Sequence, residues 1–119
     1  DVPGFIDVYV TREHRDGRGN GCTMAALCGD AARQSDDVKA TFAEGIEHTL
    51  QTLGDKYPTK PDAASGEGRK KMIDLLSRAV GAIILSRACP DDSALADEIL
   101  EVCRAEMFAS LPVNDVDAV

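Results

Sequence analysis

The sequence predicts an all-α fold with five helices, and three observations support this prediction. Apolar residues recur at three- and four-residue spacing along most of the chain, as they do on the buried face of a helix. Aromatic residues make up only 4% of the chain, while Ala and Leu are frequent, and this composition favours helices over a β-sandwich. Residues 70–100 combine a long apolar helix, a corner marked by Pro90 and the start of a second amphipathic helix.

The ends of several predicted helices are visible in the sequence. Ser35 is a favourable N-cap, Gly54 is a favourable C-terminal stop, and Pro90 disfavours helical backbone at the residue before it. Asp92 is the expected N-cap of the last helix. The predicted helices cover residues 3–14, 22–34, 36–53, 68–88 and 92–110.

Two segments and the first helix complete the prediction along the chain. Residues 15–21 contain three glycines and are expected to form an exposed, mobile loop. Residues 57–68 contain prolines and glycines and are expected to link two helices, with disorder in the middle. The β-branched residues in 3–14 leave a strand possible there instead of a helix.

Length and charge restrict the class of protein. The 119 residues are expected to form one domain, residues 1–119. The net charge of −8 argues against a nucleic-acid interface, because such surfaces need clustered Lys and Arg. No run approaches the roughly 18 apolar residues that span a bilayer, so no membrane partner is expected. Asp1 opens the chain without a signal-peptide pattern, and we expect a cytoplasmic protein whose residue 1 is not the start of the gene product.

The helix at 68–88 is apolar on more than one side. A surface helix needs only one apolar stripe, so this helix must be covered on two sides. In a chain this short, one side can meet the other helices and the second side is expected to meet another subunit. Gly81, Ala82 and Ser86 are small enough to allow close approach of a partner. The alternative is a central helix buried within a monomer.

Catalytic and metal-binding patterns are absent from the sequence. It contains no zinc-protease, nucleophile-elbow, phosphate-loop or di-metal motif, so neither an enzyme nor a cofactor is predicted. His14 and His48 are interpreted as surface or boundary residues. The cysteines lack the short spacing of a zinc site and are expected to be reduced, small core residues. A cysteine-based redox or metal sensor remains the alternative; those cysteines are Cys22, Cys28, Cys89 and Cys103.

Several segments, taken in order, resemble a branch of the TetR (tetracycline repressor) family. The segments are residues 21–27, residues 30–38, Phe42 and Gly45, residues 79–88, and residues 91–100. The resemblance implies an all-α homodimeric regulator whose C-terminal domain binds a small molecule. It also implies that the DNA-reading helix-turn-helix precedes Asp1, so that this chain contacts DNA only through residues it does not contain. The ligand's effect on DNA binding would be a population shift between arrangements of the dimer.

The resemblance also implies two sets of site residues. The last two helices would form a four-helix interface with a second copy, and the small-molecule pocket would lie among the first three helices and the long helix. The expected interface residues are Leu75, Ala79, Gly81, Ala82, Ile83, Ser86, Leu95, Ile99 and Val102. The expected ligand-binding residues are Tyr9, Met24, Leu27, Cys28, Phe42, Ile46, Met72 and Leu76. Such a lining would suit a mostly apolar molecule.

Overall fold

The computed structural model describes residues 2–17, 23–56 and 66–111, and these ranges contain helices and no strand. The helices are α1 (Val2–Tyr9), α2 (Arg12–Asp16), α3 (Thr23–Ala31), α4 (Asp36–Lys56), α5 (Glu67–Arg87) and α6 (Ala94–Ala109). The predicted all-α class is confirmed. The described ranges hold six helices where five were expected, because the first predicted helix is divided in two. Of the linker predicted at 57–68, residues 57–65 lie outside the described residues, and α5 already begins at Glu67.

The division between α1 and α2 occurs at Val10 and Thr11. Thr11 has extended backbone (φ −137°, ψ 158°), and its Oγ1 accepts a hydrogen bond from the N–H of His14 at 3.1 Å. Thr11 is therefore the N-cap of a new short helix rather than an interior residue of a longer one. The prediction of a loop from residue 15 onward is wrong for Arg15 and Asp16, which belong to α2. Residues 18–22 lie outside the described part of the chain.

The boundaries of α3 and α4 differ slightly from the predicted ones. α3 ends at Ala31, and the N–H groups of Arg33 and Gln34 bond three residues back, to the carbonyls of Asp30 (3.1 Å) and Ala31 (3.0 Å). Ser35 caps α4 as predicted, with its Oγ 3.4 Å from the N–H of Val38. The predicted stop at Gly54 is wrong, because α4 continues through it to Lys56.

The corner between α5 and α6 lies close to its predicted position. α5 ends at Arg87, and Pro90 lies in the connecting turn. The N-cap of α6 is Ser93 rather than Asp92, since the Ser93 Oγ accepts from the N–H of Leu95 at 3.2 Å. The predicted N-cap is therefore one residue too early; Ser and Asp are both favourable at this position, so residue type does not distinguish Asp92 from Ser93.

Helix α5 is the centre of the fold. It packs against α2, α3, α4 and α6, while α1 packs against α6. One face of α5 is buried in the core of the chain, and its residues are Met72, Leu75, Leu76, Ala79, Ala82, Ile83 and Ser86. The other helices contribute Ile6, Leu50, Leu53, Leu100 and Met107 to the same core. Among the described residues, no helix is long and apolar enough to cross a membrane.

Candidate ligand site

A cleft of about 560 Å³ lies between α1 and α4. Small-molecule sites in proteins typically measure about 300–1,000 Å³, so this volume is adequate for a ligand. The described residues that line the cleft are Val2, Gly4, Phe5, Val8, Tyr9, His48, Thr49, Thr52 and Leu53. Most of the lining is apolar, and none of these residues is Asp, Glu, Lys or Arg.

The α1 wall of the cleft is apolar and partly aromatic. Val8 and Tyr9 come three and four residues after Phe5, so the helix brings both to the same face as Phe5. The Phe5 and Tyr9 rings pack together, with centroids 5.0 Å apart and planes inclined by 33°. Such ring pairs stabilise their own geometry by roughly 0.5–1.5 kcal/mol. Tyr9 contributes its ring rather than its hydroxyl to the cleft, because the hydroxyl oxygen is buried.

The α4 wall carries the polar groups of the cleft. His48, Thr49 and Thr52 occupy positions i, i+1 and i+4 of the helix, and Leu53 follows as an apolar neighbour. The Thr49 hydroxyl donates to the carbonyl of Gly45 at 3.0 Å. The Thr52 hydroxyl donates in the same way to the carbonyl of His48 at 2.9 Å. Both hydroxyls therefore have their single hydrogen engaged by the helix backbone.

The C-terminal end of α1 is held by His14 of α2. The His14 Nδ1 lies 2.8 Å from the carbonyl oxygen of Tyr9, and the two rings meet edge to face with centroids 4.3 Å apart. Arg87 of α5 donates to the carbonyls of His14 and Arg15 at 2.9 and 3.0 Å. These contacts link the aromatic wall of the cleft to the end of the central helix.

Arg15 is fully buried and joins α2 to the end of α5. Its guanidinium donates to the carbonyls of Ser86 and Cys89, both at 2.9 Å, and to the Ser86 Oγ at 2.8 Å. It also donates to the carboxylates of Asp16 (2.8 Å) and Asp91 (2.9 Å). Burial lowers the pKa of Arg15, but the bonds to Asp91 and Asp16 outweigh burial and leave the pKa raised. The guanidinium is therefore charged and fully used as a donor.

Further polar contacts join α1, α2 and α5 to α6. The Ser86 hydroxyl donates to the carbonyl of Ala96 at 2.8 Å. Arg12 forms ion pairs with Asp16 and Asp97, both at 2.9 Å, and the two carboxylates raise the pKa of Arg12. In the last turn of α1, Asp7 pairs with Arg104 of α6.

Of the predicted ligand residues, Tyr9 lines the cleft and the other seven do not. Met72 and Leu76 lie in the core. Met24, Cys28, Phe42 and Ile46 are half-buried, and Leu27 is exposed. The sequence analysis missed Phe5 and the group of His48, Thr49 and Thr52. The sequence does show that the three α4 residues share one helix face. It does not show which face of α4 the other helices leave uncovered.

The predicted interface residues fall into two groups. Leu75, Ala79, Ala82, Ile83 and Ser86 are buried within the chain itself. Gly81 and Ile99 are half-buried, whereas Leu95 and Val102 are 52% and 55% exposed. Other apolar residues of α5 are also accessible, with Ile73 and Ile84 exposed and Val80 half-buried. The single chain therefore leaves two apolar helix stripes exposed or half-buried. The α5 stripe is Ile73, Val80 and Ile84, and the α6 stripe is Leu95, Ile99 and Val102.

No disulfide joins any two of the described cysteines. Cys28, Cys89 and Cys103 are half-buried, while Cys22 lies outside the described residues. Within the described ranges, no group of three or more His, Cys, Asp or Glu side chains is placed to hold a metal ion.

The chain was also compared with known proteins. No protein-family model, no curated protein and no solved structure matches it. What the molecule does must therefore be argued from its own residues and from the resemblance of its sequence segments.

Proposed function

We propose that the chain is the effector-sensing and homodimerisation domain of a TetR-like transcriptional regulator and performs no catalysis. A small, mostly apolar molecule would bind in the α1–α4 cleft and change the DNA affinity of a helix-turn-helix N-terminal to this chain. The observation that carries the proposal is the cleft itself, about 560 Å³ in volume, whose described lining residues are largely apolar and include no Asp, Glu, Lys or Arg. The order of the TetR-like sequence segments supports the same assignment.

A second copy of the chain would cover the α5 and α6 stripes. Each stripe repeats at three-, four- or seven-residue spacing on its helix, which is the pattern of a helix packed against a neighbour. Two copies would bring four helices together, with Leu95 and Val102 as the most exposed apolar contacts. The buried face of α5 would support this interface from within the chain rather than contact the partner.

The cleft and the stripes belong to connected elements, which is what an effector domain requires. α1 forms one wall of the cleft and is tied to α6 through Asp7 and Arg104. α2 follows α1 directly and is tied to α6 through Arg12 and Asp97. A ligand that favours one placement of α1 would shift the population of dimer arrangements by no more than its differential affinity allows.

Native mass spectrometry of the purified chain tests the dimer in this proposal. We expect a dimer at micromolar concentration, and we expect Leu95→Lys combined with Val102→Lys to yield a monomer, because two charges would then face an apolar surface. Val38→Lys is the matched control, since Val38 is an exposed apolar residue of α4 outside both stripes and should leave the dimer intact. A monomeric wild-type chain would contradict the proposed interface.

A further inference from the structure

The hydrogen-bonding groups of the α1–α4 cleft restrict which molecules it can select. We infer that the cleft selects an uncharged aromatic molecule bearing a hydrogen-bond donor, such as a phenol or an aryl amine, over an aryl carboxylate. This inference rests on the proposed function, because it specifies the ligand of the same cleft. Three features of the cleft support it.

The first feature is the aromatic wall. The Phe5 and Tyr9 rings form a tilted pair on α1, and the cleft continues onto the aliphatic side chains of Val8 and Leu53. A flat ring system can pack on this pair in an offset or edge-to-face arrangement. An aliphatic chain of the same area would bury similar surface but would not gain the ring–ring contact.

The second feature is the state of the two threonine hydroxyls. A hydroxyl has one hydrogen to donate and two lone pairs that accept. Thr49 and Thr52 give their hydrogens to the carbonyls of Gly45 and His48. A ligand that bonds to either hydroxyl must therefore act as the donor, through an O–H or an N–H. A carboxylate has only lone pairs to offer and would face the lone pairs of the hydroxyls.

The third feature is charge. None of the described lining residues is a Lys or Arg, whose positive charge could neutralise a carboxylate. The chain as a whole has a net charge of −8. The surrounding potential therefore disfavours an anion. The His48 ring both donates and accepts when it is neutral, so it can serve either kind of ligand and the selection falls to the threonines.

The test compares three naphthalene probes by isothermal titration calorimetry with the whole chain. The probes are 2-naphthol, 2-naphthoate and 2-methylnaphthalene. We expect 2-naphthol to bind at least threefold more tightly than 2-naphthoate. We also expect Thr49→Val combined with Thr52→Val to lower the affinity for 2-naphthol relative to 2-methylnaphthalene by about threefold to tenfold, the range of one net hydrogen bond.

Thr41→Val is the matched control for the threonine variants. Thr41 lies on the same helix, donates to the carbonyl of Asp37 at 3.2 Å, and is not among the residues that line the cleft. Its replacement should leave the ratio of the 2-naphthol and 2-methylnaphthalene affinities unchanged. The comparison thus separates loss of an acceptor in the cleft from a general effect of Thr→Val on α4.

Amide chemical shifts in NMR spectra separate failure of this inference from failure of the proposed function. Shifts confined to α1 and α4 place the probe in the cleft. If 2-naphthoate then binds as tightly as 2-naphthol, the inferred ligand class is wrong while the cleft remains a binding site. An unchanged affinity ratio in the double threonine variant would equally overturn the inference. If no probe shifts these amides, the inference and the proposed ligand site both fail.

Discussion

Arg15 places a charged side chain at the buried junction between α2 and the end of α5. Its guanidinium is fully buried, where an unpaired charge would cost several kcal/mol. The site stabilises the charge because the carbonyls of Ser86 and Cys89 lie at the C-terminal end of α5, where the helix dipole is negative. Asp16 and Asp91 supply the counter-charge. A residue expected to begin an exposed loop is therefore a central connection of the fold.

Replacement of Arg15 by Met should lower the free energy of unfolding by about 1–3 kcal/mol, the cost of leaving a buried acceptor without its donor. The carboxylates of Asp16 and Asp91 are 48% and 72% exposed, so they remain solvated when Arg15 is removed. The methionine would keep part of the apolar stem but leave the two backbone carbonyls without their donor. Urea denaturation followed by circular dichroism measures the loss. Arg78→Met is the control, because Arg78 is exposed and pairs only locally with Asp74, so it should cost less than about 0.5 kcal/mol. Equal losses in the two variants would contradict this account of Arg15.

The helices differ in how well local sequence specifies their ends. The caps at Thr11, Ser35 and Ser93 all use a hydroxyl that accepts a backbone N–H at the start of a helix. Glycine is less reliable as a stop signal, as Gly54 within α4 demonstrates. In the described part of the chain, only Gly66 has a positive φ, 80°, and it lies immediately before α5. A glycine ends or begins a helix where the backbone needs that conformation, which the sequence does not reveal.

The same Gly→Ala substitution should have opposite effects at Gly45 and Gly66. Gly45 lies inside α4, and a Cβ built there meets no atom within 4 Å, so Gly45→Ala should raise the free energy of unfolding by about 0.5–1 kcal/mol. Gly66→Ala should lower it by about 1 kcal/mol, because the left-handed backbone is strained for alanine although space is available. Thermal unfolding of the two variants measures both effects. A stabilising Gly66→Ala would show that this backbone conformation is not required.

At the scale of the whole molecule, the fold was more predictable than the site. Helical spacing and the Pro90 corner were sufficient for the all-α class and for α5 and α6, because both are local properties of the sequence. The cleft depends on which side of α4 the other helices leave uncovered, and this is a property of packing. Of the residues predicted to bind a ligand, Tyr9 lines this cleft, but the sequence could not separate His48, Thr49 and Thr52 from ordinary surface positions. Arg15 was missed for the same reason, since its partners Ser86 and Asp91 are more than 70 residues away in the chain.

The net charge of the molecule and its buried arginine give opposite expectations at acid pH. From neutral pH down to the isoelectric point of about 4.6, protonation of surface carboxylates reduces the net charge from −8 towards zero, which lowers self-repulsion and favours the folded chain. Asp16 acts in the other direction, because hydrogen bonds from Arg12 and then Arg15 lower its pKa below the ordinary value of 3.8. The folded chain stabilises the ionised form of Asp16 more than the unfolded chain does, so Asp16 contributes stability above pH 3.8. This contribution is lost as the pH falls through the lower pKa of Asp16 in the folded state.

Urea midpoints measured between about pH 2 and pH 6 should therefore depend on Asp16 in a defined way. We expect Asp16→Asn to be less stable than the wild type near pH 6 and to approach it as the pH falls through the lowered pKa of Asp16, where the carboxylate of the wild type becomes protonated as well. Asp74→Asn is the control, since Asp74 forms a single exposed ion pair with Arg78 on α5. Comparing variants that lose the same charge removes the general effect of net charge. A difference between wild type and Asp16→Asn that stays constant over the whole range would show that the Arg12–Asp16–Arg15 contacts do not depend on the ionisation of this carboxylate.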